Sequence, residues 1–158
     1  MRFRDIVTRI ASAARTRPRA PGGPSGRSPG RPTGRADGDD RLVIGYTPDR
    51  DGEADPGEVV WTWVPYEDDP SRGKDRPVVV IGTAGRRLAV VPLSSKDHPG
   101  KVGVGSGAWD SAGRPSYADV DRVLRVAPGD VRREGATLGR RQFDDVVAGV
   151  RRRHSDLG

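Results

Sequence analysis

The hydrophobic residues in the second half of the chain fall in short runs separated by polar, glycine-containing segments. In residues 59–64, β-branched and aromatic side chains occupy both the odd and the even positions, and Pro65 ends the run. Residues 78–81 and 88–91 are apolar throughout, with a polar, glycine-containing segment between them. This pattern predicts one packed strand followed by a buried β-hairpin. Polar residues 66–75 and 94–101 predict the loops before and after that hairpin.

Further strands are predicted on both sides of this region. Residues 102–104 predict a short extended piece. In residues 117–126 the spacing of Val120, Leu124 and Val126 predicts one more strand with these three side chains on one face. Near position 42, a short apolar run, Leu42, Val43 and Ile44, either adds an edge strand or ends a linker.

The last element predicted is a helix with an apolar face. Phe143, Val146, Val147 and Val150 follow the i, i+3, i+4, i+7 spacing of such a face. Gly139 is a candidate N-cap, and residues 151–153 are three arginines at the C-terminal end, where the helix dipole favours cations. We therefore predict a mainly β fold with a C-terminal helix packed across a small, curved, barrel-like sheet.

The N-terminal third of the chain has a different composition. Residues 1–16 have apolar positions at helical spacing among arginines, which predicts a short basic amphipathic helix or a frayed leader. Residues 17–55 are rich in Pro, Gly and Arg, a composition that predicts a disordered linker. We predict that the folded domain spans residues 56–156.

The positive charge of the chain belongs to this N-terminal arm. Of 28 basic and 22 acidic side chains, ten and four lie in residues 1–41, which leaves equal numbers in residues 42–158. Net charge governs nonspecific attraction to polyanions. A nucleic-acid role for the domain therefore depends on where individual charges lie.

Several kinds of chemistry find no support in the sequence. There is no cysteine, which excludes disulfides and thiolate chemistry. His98 and His154 are the only histidines, and neither has metal-ligand spacing to another candidate ligand. The glycines at 103, 105 and 107 lack the strand and helix of a dinucleotide-binding motif. We expect neither a metal nor a cofactor.

Two polar loops carry the candidate chemistry. The first precedes the strand at 78–81 and the second follows the strand at 88–91, so the two loops meet at one end of the predicted hairpin. Guanidinium and ammonium groups together with hydroxyls suit a phosphodiester ligand. The candidate residues are Arg72, Lys74 and Arg76 in the first loop, and Ser94, Ser95, Lys96 and His98 in the second.

The order of these segments resembles the MazF/PemK toxin family. Residues 57–61, Gly-Glu-Val-Val-Trp, are similar to the family's first strand, and residues 76–80, Arg-Pro-Val-Val-Val, to its second. Residues 91–95 are similar to the third strand, which ends in Thr or Ser, and residues 121–126 to a later strand that precedes the terminal helix. The resemblance covers about 100 residues in the family's order.

This resemblance implies an SH3-like barrel, a homodimer and a cognate antitoxin. It also implies metal-independent cleavage of single-stranded RNA through attack by the 2′-hydroxyl, with Arg76 and Ser94 as the catalytic pair. Arg72, Lys74, Ser95, Lys96 and His98 are then expected to bind RNA. Two departures from the family pattern are Ser94 in place of the commoner Thr and the lack of a Ser-Glu-Gln run before Arg76.

Two other functions remain open at this point. The first alternative to an endoribonuclease is a noncatalytic barrel that binds a protein, as in a related toxin that poisons DNA gyrase. The second is a DNA-binding regulator that uses the basic arm. Residues 1–16 are too short to span a membrane, and Asp5 and Arg9 interrupt any signal-like apolar stretch. We expect a cytoplasmic protein with no integral membrane association.

Overall fold

The computed structural model describes residues 40–49, 51–132 and 136–157. The helix predicted for residues 1–16 and most of the linker predicted for residues 17–55 lie outside these ranges. The described chain forms seven strands, one α-helix and two 3-10 turns. It is a mostly antiparallel β-sheet with one C-terminal helix, which confirms the predicted fold class.

The strands follow one another closely along the chain. In order they are β1 (Leu42–Ile44), β2 (Val59–Pro65), β3 (Gly73–Ala84), β4 (Arg87–Ser94), β5 (Val102–Gly105), β6 (Ser116–Ala118) and β7 (Leu124–Val126). The 3-10 turns are Pro128–Asp130 and Ser155–Leu157, and the helix α1 is Arg140–Arg153. The sheet order is β1-β3-β4-β6-β5, with β2 also paired to β3 and β7 also paired to β4.

The hairpin of β3 and β4 forms the centre of the sheet. Gly85, with a φ of 59°, begins the two-residue turn, a conformation that glycine adopts without strain. A β-bulge lies between Val80 and Gly82, where β3 changes partner from β2 to β1. Bulges bend a strand and increase its twist, so this one helps the sheet to curve.

Both faces of the central strands are buried. On one face Val59, Val79 and Val91 pack with Phe143 and Val146 of α1. On the other face a second cluster is formed by Val60, Val64, Val78, Val80, Leu88 and Val90, with Leu124 and Val126 packed against it. Burial on both faces explains why the hairpin strands are continuously apolar rather than alternating.

Strand β1 pairs with β3, although it lies within residues 17–55, which the sequence analysis assigned to a linker. Leu42 pairs with Ala84 and Ile44 with Gly82. The close approach needs a glycine, because a Cβ on Gly82 would lie 2.1 Å from the carbonyl oxygen of Val43. The structure thus favours the edge-strand interpretation of this segment, and ordered structure begins before residue 56.

The single strand predicted for residues 117–126 is wrong. Two short strands, β6 and β7, are separated by a turn closed by the Arg122 amide, which donates to the Asp119 carbonyl at 3.0 Å. Val120 belongs to the helix-side core, whereas Leu124 and Val126 pack against the opposite cluster. Strand β6 pairs with the end of β4, and β7 pairs with its first half. Because the turn separates these two pairings, the three side chains do not share a face.

The helix α1 follows its predicted pattern. Gly139 is the N-cap, and Phe143, Val146, Val147 and Val150 are buried. The last turn holds three arginines, one of which, Arg153, pairs with Asp121 at 3.3 Å. In the parts of the chain that the structure describes, no helix has the length and apolar character needed to cross a membrane.

Candidate nucleic-acid interface

A groove of about 820 Å³ opens at the end of the hairpin where β3 begins and β4 ends. Its walls come from these strand ends, from the loop after β2 and from the segment between β5 and β6. Six of the seven predicted site residues line it: Lys74, Arg76, Ser94, Ser95, Lys96 and His98. The two polar segments singled out in the sequence therefore meet in one groove, but Lys74 and Arg76 lie on β3 and Ser94 on β4 and not in loops as predicted.

Arg76 and Ser94 each lie two residues beyond the last residue pair of the β3–β4 ladder. Val78 pairs with Pro92, and Val79 with Val91, in the antiparallel ladder of β3 and β4. Arg76 and Ser94 belong to the same alternating side-chain sets as Val78 and Pro92, and both line the groove. Because side chains alternate between faces, both residues are on the face that carries Val78.

The Arg76 guanidinium has no hydrogen-bond or ion-pair partner among the residues that the structure describes. It is partly buried and follows Asp75 on β3, opposite Thr62 of β2. Among arginines in residues 40–49, 51–132 and 136–157, it alone combines partial burial with the lack of a side-chain hydrogen bond or ion pair. A guanidinium that is partly removed from water and holds no anion is well suited to bind a phosphate.

The Ser94 hydroxyl accepts a hydrogen bond and donates none to the residues that the structure describes. The Oγ atom accepts a hydrogen bond from the Lys96 amide at 3.1 Å, which forms a small turn after β4. A hydroxyl can accept and donate at once. With the Lys96 amide occupying a lone pair, the O–H of Ser94 remains available to donate to an oxygen of a ligand.

Both cations and anions line the groove. Of the cations that line it, Lys74, Lys96 and Lys101 have no side-chain partner within the described ranges. The carboxylates are mostly paired, as Asp75 is with Arg132 at 2.9 Å. Positive charge is therefore available to a polyanion although the groove contains both signs.

Asp110 illustrates how the acidic residues of the groove are neutralised. Its carboxylate accepts hydrogen bonds from Arg114 Nε at 3.0 Å and from the Ala112 amide at 2.9 Å. The hydrogen bond from Arg114, followed by that from Ala112, lowers the pKa of Asp110. The carboxylate stays ionised at neutral pH, and its charge is balanced by Arg114.

Arg72 is the one predicted site residue that does not line the groove. It is exposed, and its backbone closes the loop after β2 by accepting from the Tyr66 amide at 2.8 Å and donating to the Asp69 carbonyl at 3.0 Å. Its role in binding RNA stays a prediction.

The groove also contains residues that the sequence analysis did not single out. Trp61 is opposite Pro77 in the ladder of β2 and β3, and both line the groove. Trp109 is buried and donates from Nε1 to Ser116 Oγ at 3.0 Å. Arg122 reaches the groove from the turn between β6 and β7. Trp61, Pro77 and Arg122 lie in segments with family resemblance, whereas Trp109 lies outside those segments and had no such signal.

No candidate metal site lies in the groove or elsewhere in the described ranges. In residues 40–49, 51–132 and 136–157, no three His, Asp or Glu side chains are grouped so that they could hold a metal ion.

Solved structures similar to this chain include one toxin and two crystal forms of MazE-MazF from a single organism. The Mycobacterium tuberculosis toxin MazF-mt6 is 15% identical with a TM-score of 0.46, and the match covers 61% of this chain and 96% of that one. Two crystal forms of MazE-MazF from Deinococcus radiodurans match at 17% and 19% identity, with TM-scores of 0.47 and 0.45. These matches cover 63% and 68% of this chain, and 94% and 98% of the other. No curated protein sequence matches the chain.

A family model provides the decisive comparison. It matches residues 55–153, which contain β2 to β7, all of α1 and every residue of the groove. The chain belongs to the family of PemK-like, MazF-like toxins of type II toxin-antitoxin systems.

Proposed function

We propose that this toxin is an endoribonuclease that cleaves single-stranded RNA in the groove without a metal ion. The observation that carries the proposal is that Arg76, partly buried and without a side-chain partner in the described ranges, lines the same groove as Ser94 at the end of the β3–β4 hairpin. A guanidinium and a hydroxyl donor converge there on a space large enough for nucleotides.

RNA supplies the nucleophile for this reaction. The 2′-hydroxyl oxygen attacks the adjacent phosphorus, the bond from phosphorus to the 5′-oxygen breaks, and a 2′,3′-cyclic phosphate and a 5′-hydroxyl result. The 2′-hydroxyl loses a proton and the departing 5′-oxygen gains one, so no proton is consumed overall. Because the nucleophile is already held beside the phosphorus, the protein mainly has to stabilise the pentacoordinate state.

Arg76 and Ser94 supply that stabilisation. Arginine side chains are always charged in proteins, so the Arg76 guanidinium can neutralise the charge that builds on the nonbridging oxygens. Ser94 donates its free O–H to one of those oxygens. Each preorganised donor of this kind contributes roughly 3–4 kcal/mol in comparable oxyanion sites.

The remaining cations hold the RNA on both sides of the reacting phosphate. Lys74 is two residues before Arg76 on β3, and Lys96 and His98 follow Ser94. Together with Ser95 they bind flanking phosphates and sugars, and Arg72 adds a cation on the nearby loop. Such contacts fix register on the RNA and carry little sequence information.

Partners follow from the same proposal. A toxin of a type II system is countered by an antitoxin, and we propose a cognate antitoxin for this chain. We further propose that it acts as a homodimer in the cytoplasm, where its RNA substrate is found.

Cleavage in the presence of a chelator tests the proposal. The protein is incubated with end-labelled single-stranded RNA of varied sequence, and the products are analysed for cyclic phosphate and 5′-hydroxyl ends. A matched RNA with 2′-deoxyribose at the mapped cleavage position is expected to stay intact. Absence of cleavage across the RNA pool contradicts the proposal, and so does cleavage of the 2′-deoxy substrate.

A further inference from the structure

We propose that Arg122 is a second phosphate-binding guanidinium of the groove, and that Glu67 is an internal counter-ion which the RNA phosphate displaces. This inference rests on the proposed function, because it assigns a further contact to the same RNA. It explains why the groove contains an arginine held close to an exposed carboxylate.

Arg122 lies close to the proposed catalytic pair. Arg122 lines the same groove as Arg76 and Ser94, and it lies two residues before Leu124, which pairs with Val90 of β4. The turn that contains Arg122 stays beside this part of β4, since the Asp119 amide donates to the Pro92 carbonyl at 2.9 Å. Pro92 is two residues from Ser94, a separation of about 7 Å along a strand.

The Arg122 side chain is largely buried and fixed at one nitrogen. It is 17% exposed, and one terminal nitrogen donates to the Pro65 carbonyl oxygen at 2.9 Å. A guanidinium has five N–H donors in a rigid plane. The anchor at Pro65 therefore orients the group and leaves other donors free to face the groove.

The carboxylate that balances Arg122 is held loosely. Glu67 is 69% exposed, and its Oε1 lies 3.4 Å from Arg122 Nε. By contrast, Arg132 and Asp75 are separated by 2.9 Å, within the range of charge-assisted hydrogen bonds. Glu67 can thus rotate into water at little cost, while Arg122 stays in place.

The fixed position of Arg122 and the loose contact of Glu67 together give this ion pair its proposed role. Burying a charged guanidinium is costly unless an anion is near, and Glu67 provides one when RNA is absent. A phosphate entering the groove replaces Glu67 and can make shorter, bidentate contacts. Glu67 then competes with RNA, so that removing its charge tightens RNA binding.

A purely structural role for Arg122 is the alternative. The same contacts connect the turn after β6 to the end of β2, and they stabilise the fold whether or not RNA binds. The two roles differ in their response to salt. A phosphate contact contributes about 0.7 to the slope of log K against log salt concentration for a single strand, and a structural contact does not.

The test measures binding of a labelled single-stranded RNA made uncleavable by 2′-O-methyl groups, over a series of salt concentrations, with the full chain. Glu67→Gln is compared with Asp68→Asn, which removes a charge from the same loop. Asp68 lines the groove and has no ion-pair partner in the described ranges. We expect Glu67→Gln to tighten binding by up to about fivefold, the strength of an exposed ion pair, and Asp68→Asn to do so less.

Substitution of Arg122 completes the test. Arg122→Gln is expected to weaken binding and to lower the salt slope by about 0.7, with Arg122→Lys intermediate. In the Arg122→Gln background, Glu67→Gln is expected to have no more effect than Asp68→Asn. Thermal unfolding of each variant identifies any folding defect. If Arg122→Gln does not fold, the RNA-binding results for Arg122→Lys and Glu67→Gln decide whether the inference holds.

Equal tightening by Glu67→Gln and Asp68→Asn would overturn the inference, and so would an unchanged salt slope in Arg122→Gln. Either result leaves cleavage by the wild-type protein intact, so the proposed function stands while the inference fails. A wild-type protein that binds no RNA would overturn both.

Discussion

Substituting Ser94 by alanine separates the chemistry of the groove from the stability of the domain. The change removes the O–H that we assign to a nonbridging phosphate oxygen, and it also removes the acceptor of the Lys96 amide. These two losses differ in size. We expect kcat for RNA cleavage to fall by about 10²–10³-fold, the usual effect of deleting one oxyanion donor.

The effect on stability is expected to be small. Lys96 is exposed, so water can replace Ser94 as the acceptor of its amide hydrogen, and the cost stays below about 1 kcal/mol. Single-turnover cleavage and thermal unfolding measure the two quantities on the same protein preparation. Ser94→Thr keeps the hydroxyl and is expected to retain cleavage.

Two further variants identify where Ser94 acts. Ser95→Ala removes a neighbouring hydroxyl that we assign to RNA binding alone, so it is expected to raise KM with little change in kcat. The double variant Arg76→Ala with Ser94→Ala is expected to lose less than the product of the single losses, because both groups act on one phosphate. The reasoning is refuted if Ser94→Ala cleaves as fast as Ser95→Ala.

Two predictions concern the fold. Gly82→Ala forces a Cβ to within 2.1 Å of the Val43 carbonyl oxygen and is expected to destabilise the domain by about 1–3 kcal/mol, seen as a lower Tm. Gly103→Ala, where the nearest atoms lie 3.7 Å away, is the control, and equal Tm values would show that β1 does not pack as described. Burial, reinforced by neighbouring carboxylates, raises the pKa of Asp55, whose Oδ2 is buried without a hydrogen-bond partner. The folded state then holds this proton more tightly than the unfolded state, so the stability of the domain falls as pH rises above about 4. Asp55→Asn is expected to raise Tm at neutral pH and to flatten the dependence of Tm on pH. An unchanged pH dependence would contradict this assignment.

Local patterns in the sequence were sufficient for the helix and the central hairpin. Phe143 and Val150 mark the buried face of α1, and Gly139 its start, because helical packing depends on residues close in sequence. The ends of the strands were harder to predict. Gly73, Lys74 and Asp75 look like loop residues, yet they pair with β2, since ladder hydrogen bonds form between backbones whatever the side chains are.

The candidate site was predictable to the extent that it depends on that hairpin. Arg76 and Ser94 meet in one groove because each lies two residues beyond Val78 and Pro92, the last pair of the antiparallel β3–β4 ladder. Trp109 and Arg122 reach the groove through pairing of β4 with β6 and β7, which are distant in sequence. No spacing rule connects them to Arg76, so only the folded chain reveals them.

The central claim is that Arg76 acts on the reacting phosphate, and cleavage by Arg76→Ala tests it most directly. The control is Arg125→Ala, which removes an exposed arginine of β7 that does not line the groove. Both variants are assayed with the same labelled RNA in chelator, after thermal unfolding has confirmed that they fold. We predict that Arg76→Ala loses about 10²-fold or more in single-turnover cleavage rate while Arg125→Ala cleaves like wild type. Equal rates for Arg76→Ala and wild type would contradict the account.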